Sequence, residues 1–150
     1  MQRWLLIGGA ALLLLFGIGL PTAYHLYKQG RPHPVWLPIP VKPEAPYAET
    51  QRIVHSLDAK LSDRKNLIRI TRELDLKSKW DMSDDEQVVD EILARLYVKQ
   101  GDMDTPMGKI PAIHVGLRGT NRDREVSYAL LDALLPDVWK VLGIDPPKKP

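Results

Sequence analysis

Trp4 to Leu20 is an unbroken run of 17 apolar or glycine residues, interrupted by no charged, amide or hydroxyl side chain. As a helix this run covers roughly 25 Å, slightly less than the hydrocarbon core of a bilayer. Extension through Ala23 and Tyr24 to Tyr27 adds about 10 Å and sets Trp4 at one end and Tyr24 and Tyr27 at the other. Amphipathic rings prefer the headgroup layer, so the pattern predicts a single transmembrane helix over residues 4–27, with Leu12 and Phe16 in its apolar middle. The alternative is a cleaved secretory signal, since Met1-Gln2-Arg3 is a short basic start. Its cleavage site is poor: Gly17-Ile18-Gly19 has Pro21 close behind, and Pro21-Thr22-Ala23 puts a ring where a small residue belongs.

Charge bears on orientation and on partners. Residues 1–46 hold Arg3, Lys28, Arg31 and Lys42 against Glu44, while the whole chain carries only +2, so the remainder is nearly balanced. The positive-inside count almost ties across the apolar run. A short tail with one arginine directly before that run resembles an export signal, which favours a bacterial inner membrane with the domain in the periplasm. A balanced domain lacks the clustered basic face of a nucleic-acid reader. Without cysteine there is no disulfide framework, thiolate metal site or lipidated cysteine.

Arg31 to Pro46 contains six prolines in 16 residues. That density predicts an extended, semi-rigid stalk on the order of 50 Å long. Val35-Trp36-Leu37 supplies its apolar handles, and Trp36 is a candidate partner contact. The expected organisation is an anchor with short flanks over 1–30, a proline-rich linker over 31–46, a helical domain over 47–145 and a disordered tail over 146–150.

The domain reads as mainly α, with four to five helices and at most one short edge strand. Ile53, Val54, Leu57 and Leu61 give helical spacing over about 48–61. Leu67, Ile70 and Leu74 continue it, although Ile68 to Thr71 also alternates like a strand. Ser83-Asp84-Asp85-Glu86 has the form of a capping box before Val88, Val89, Ile92, Leu93 and Leu96, predicting a helix over 84–99 with Ser83 as its cap. Asp102 to Lys109 then reads as a loop, and Lys109 to Leu117 as extended, with Pro111 confining it to a sheet edge. A last helix begins near Asn121 and buries Val126, Leu130, Leu131, Leu134 and Leu135 until Pro136 breaks or kinks it, with Gly143 as its final stop. Trp80 and Trp139 are the expected large core elements.

Candidate sites are few. Asp81, Asp84, Asp85, Glu86, Asp90 and Glu91 suggest a hard cation, but acids in a first helical turn are what the positive end of the helix dipole favours, and no metal is expected. His55, His114, Ser127, Asp123 and Glu125 form a loose hydrolytic inventory without a recognisable motif, and no cofactor is expected. The most suggestive segment is Gly116 to Arg124, a flexible loop with Arg118, Arg122 and Arg124 running into a helix start, where guanidinium groups can grip a carboxylate or phosphate. These features predict a single-pass membrane-anchored protein whose extracytoplasmic domain binds another envelope protein, as an adaptor, assembly subunit or immunity-type inhibitor. The alternative is a membrane-tethered hydrolase of cell-wall or peptide substrates using His114 or His55.

Overall fold

The computed structural model describes residues 20–42 and 44–144. Its elements are α1 (Leu20–Gln29), β1 (Val35–Pro40), α2 (Tyr47–Leu61), α3 (Arg64–Glu73), α4 (Leu76–Lys79), α5 (Asp85–Arg95), β2 (Leu96–Thr105), β3 (Gly108–Leu117) and α6 (Arg124–Leu142), the last preceded by a 3-10 turn, Asn121–Asp123. The mainly helical architecture expected from the sequence is thus corrected to an α+β one. Among the described residues, six helices accompany a three-stranded antiparallel sheet of order β1-β3-β2.

The transmembrane helix is not part of the described architecture: among the described residues, no helix is long and apolar enough to cross a membrane. Trp4, Leu12 and Phe16 lie outside the described residues, while Tyr24 and Tyr27 sit on α1, a ten-residue helix with no buried residue.

The proline-rich stalk is also corrected, because its centre is β1. Hydrogen bonds from His33 N–H to Gly119 O (2.7 Å) and from Val41 N–H to Pro111 O (2.9 Å) show that odd-numbered residues of this segment donate toward β3. Pro32, Pro34, Pro38 and Pro40 are all even, so each missing N–H falls on the outer side of an edge strand, where no partner strand is denied a bond. The proline spacing that argues against a helix is therefore the spacing an edge strand accepts.

Parity also explains Pro111, which lies on the central strand rather than at an edge. Arg118 N–H donates to Arg95 O at 2.8 Å, so even residues of β3 bond to β2 and odd ones to β1. Pro111 faces Val41, one residue beyond the end of β1. It accepts from Val41 and leaves only one bond unreturned.

The helix expected over 84–99 stops at Arg95. Leu96 turns to extended backbone (φ −65°, ψ 140°), and Leu96-Tyr97-Val98 enters β2, where pairing with β3 overrides the helical spacing. Asp102 to Thr105, expected as loop, completes β2, and Pro106-Met107 makes the turn before Gly108, whose φ of 116° suits glycine. The cap of α5 is Asp84, which accepts from Gln87 N–H at 2.8 Å; Ser83 lies outside it. The expected helices near 48–61 and through Leu67 and Ile70 correspond to α2 and α3. α6 runs through Pro136 without a break, because Pro136 and Asp132, whose carbonyl loses its donor, both face solvent while Leu134 and Val138 continue the buried stripe. Gly143 ends it in the left-handed conformation (φ 65°).

The core is aliphatic rather than built on tryptophan. Leu57 and Leu61 of α2, Leu67 and Ile70 of α3, Val88, Val89 and Ile92 of α5, and Leu130, Leu134 and Val138 of α6 close against Val35 and Ile39 of β1 and Ile113, Val115 and Leu117 of β3. Trp80 packs at the rim of this cluster and Trp139 is only half-buried. Every strand residue in the cluster is odd on β1 and β3 and even on β2, so all belong to one face of the sheet. The opposite face contributes nothing to it.

Candidate functional site

That opposite face gathers residues distant in sequence. Register places Trp36 and Tyr97 on either side of Gly116, and Pro38 and Lys99 on either side of His114. The Trp36 and His114 rings stack with centroids 4.6 Å apart and planes 9° from parallel. His114 Nε2 sits 3.1 Å from Asp102 O, so the tautomer with N–H at Nε2 donates to that carbonyl. Tyr97 leans across Gly116: a Cβ there would lie 2.6 Å from Tyr97 Oη and 2.7 Å from Trp36 Cβ. Only glycine lets the ring lie this close to the backbone.

Two cations flank Tyr97. Lys99 Nζ is 5.5 Å and the Arg118 guanidinium carbon 5.9 Å from its ring centroid. Burial raises the Tyr97 phenol above its ordinary pKa of 10.0, and the positive charge of Arg118 opposes that rise. The face positions along the three strands contain no aspartate or glutamate, so this aromatic surface carries positive charge alone. Trp36 is 46% exposed. Edge-on addition of another strand at β1 is blocked, because among Pro34, Trp36, Pro38 and Pro40 only Trp36 has an outward N–H.

Of the sequence candidates, Trp36 and Arg118 come together on this face. Arg122 and Arg124 do not: Arg122 lines a polar recess with Trp80, Arg95 and Asp123, and Arg124 lies 5.8 Å from the Tyr128 ring. All three arginines are exposed and enter no ion pair among the described residues. Asp123, one expected partner, instead accepts from Arg95 (3.1 Å) and from the Thr120 hydroxyl (3.0 Å). Tyr97, Lys99 and His114 were not combined with Trp36 by sequence reasoning. The missing signal was the strand character of Leu96 to Thr105, which alone brings Tyr97 and Lys99 to this face.

The acidic residues serve the fold. Arg64 meets Glu86 and Asp90 and Arg72 meets Asp85, which ties α3 to α5, while Arg95 meets Glu91 within α5. Among the described residues, no three His, Asp or Glu side chains converge as a metal site would require. The hydrolytic inventory is scattered: Ser127 is buried beside Gly119, His55 lines a recess with Asp58 and Val98, and His114 meets a backbone carbonyl. No family model, no curated protein and no solved structure matches the chain.

Proposed function

We propose that this chain is a docking subunit held at a membrane by its N-terminal apolar segment, with its domain outside the cytoplasm, where the uncovered sheet face binds another envelope protein. Adaptor, assembly subunit and immunity-type inhibitor are the roles such a surface serves. The observation that supports this reading is the face itself: an exposed tryptophan stacked on a histidine, a tyrosine bracketed by two cations, and no acidic neighbour. Aromatic and arginine side chains of this kind anchor protein interfaces, and the one-sided charge favours a partner that offers carboxylates. The sequence run Trp4 to Leu20 supports the tether.

The test is photocrosslinking in intact cells from a photoreactive phenylalanine analogue at position 36, with position 128 on α6 as a surface control. A discrete adduct from position 36 that disappears with Lys99→Glu/Arg118→Glu is the expected result. Absence of any adduct at position 36, or one that persists in the charge-reversed chain, would remove the face as a docking surface.

A further inference from the structure

One pole of the domain is set by the register. Val35 and Leu96 both pair with Leu117, so the start of β1, the start of β2 and the end of β3 lie side by side. The loop leaving β3 at this pole is fastened to the chain arriving from α1. Asn121 N–H donates to Arg31 O at 3.0 Å, Asn121 Nδ2 donates to Lys28 O at 2.9 Å, and Pro32 bridges Thr120. Lys28, Arg31, Arg122 and Arg124 are thereby brought to one end of the molecule, all exposed, and none has an ion pair among the described residues. Nearby, Asp123 is taken by Arg95, exposed Asp81 shares the recess of Arg122, and exposed Glu125 follows Arg124 in sequence, so the basic residues outnumber the free acids at this end.

From the same pole α1 stands clear of the domain. Leu20, Tyr24, Leu26 and Tyr27 are each more than half exposed. Exposed apolar and aromatic side chains of this kind gain from an apolar cover. The residues before it in sequence are the apolar run from Trp4.

We infer that this pole is a basic collar that binds anionic phospholipid headgroups where the N-terminal segment enters the bilayer. The inference rests on the proposed tether. It divides the arginine loop into two parts, with Arg118 on the protein-binding face and Arg122 and Arg124 toward lipid phosphate. Guanidinium and ammonium groups donate to phosphate oxygens, and each basic residue beside an anionic surface is worth roughly a fivefold change in local binding.

The experiment uses the full chain in nanodiscs of phosphatidylcholine, alone or with about one-third phosphatidylglycerol, read by hydrogen exchange. Anionic lipid is expected to slow amide exchange over Lys28–Arg31 and Thr120–Val126 several-fold, and high salt to reverse the effect. The variant Lys28→Gln/Arg31→Gln/Arg122→Gln/Arg124→Gln should enter the discs with native circular dichroism and lose the lipid dependence. Equal exchange in both lipids, with the chain embedded, overturns the collar and leaves the tether standing. Failure of the native chain to enter either disc overturns both. Inorganic phosphate reproducing the protection in phosphatidylcholine discs would reassign the site to a soluble anion and overturn the lipid assignment.

Discussion

Gly116→Ala probes the aromatic face at its tightest point. The new Cβ would fall 2.6 Å from Tyr97 Oη and 2.7 Å from Trp36 Cβ, roughly 0.7 Å inside ordinary contact. Trp36 Cβ is fixed by the β1–β3 pairing, so the strand can yield only at the expense of its ladder, whereas the Tyr97 ring can swing away. Overpacking of this kind costs about 1–3 kcal/mol. Replacing a strand glycine recovers about 0.5–1 kcal/mol of chain entropy. The expected net loss is therefore about 1–2 kcal/mol, a fall in Tm of several degrees for a domain of this size. Thermal or urea unfolding gives the number, and the Tyr97 ring resonances report the displaced side chain. In a double-mutant cycle, Gly116→Ala should cost about 1 kcal/mol less in a Tyr97→Ala background, because only the contact with Trp36 Cβ remains. Additive effects, or a Gly116→Ala protein with native stability and unshifted Tyr97 resonances, would refute the packing argument and with it the geometry of the face.

Three further outcomes follow from particular contacts. Thr71 is 1% exposed and its hydroxyl has no hydrogen-bond partner among the described residues, so Thr71→Val should stabilise the protein by about 1 kcal/mol, visible as a raised urea midpoint at constant m-value; a loss would mean the hydroxyl is bonded. Asp84→Ala should cost about 1 kcal/mol through loss of the α5 cap, while Ser83→Ala should be close to neutral, and the reverse order in thermal melts would return the cap to Ser83. Tyr97 titrates above its ordinary value because it is buried, so folded and unfolded states bind the same proton below pH 10.0 and only the unfolded state releases it just above. The contribution of Tyr97 to stability should thus be flat below that pH and fall as pH rises from there through the folded value, a component of the alkaline loss that Tyr97→Phe removes in chemical denaturation.

How much of this could be read from the chain divides along local and non-local lines. The helices at Tyr47–Leu61 and Arg124–Leu142 were legible because the spacing of Leu57, Leu61, Leu130 and Leu134 is written within a few turns of one segment. The strands were not, because their signal is cross-strand. Leu96 and Tyr97 continue the helical spacing of Ile92 and Leu93, and only β3 lying beside them makes extended backbone the better solution. Of the site, Trp36 and the arginine loop were legible as an exposed ring and a charge cluster. Their placement was not: it depends on Asn121 bonding to Lys28, 93 residues away in sequence, and to Arg31.

The prolines carry the physical point furthest. Read singly, each removes a donor and argues against regular structure; read by parity, Pro32, Pro34, Pro38 and Pro40 all fall on the side of β1 that has no neighbour. The same parity that lets the strand form strips its outer edge of donors, which discourages a further strand from joining there. With that edge poor in donors, the docking proposed above is directed to the broad surface of the sheet. Trp36, the one residue of the alternating set that is not proline, contributes its ring to that surface, stacked on His114. An edge built to refuse a strand and a face carrying an open aromatic platform are thus consequences of one two-residue pattern, and moving a single proline to an odd position, such as Leu37→Pro, should break the β1–β3 ladder and the face together.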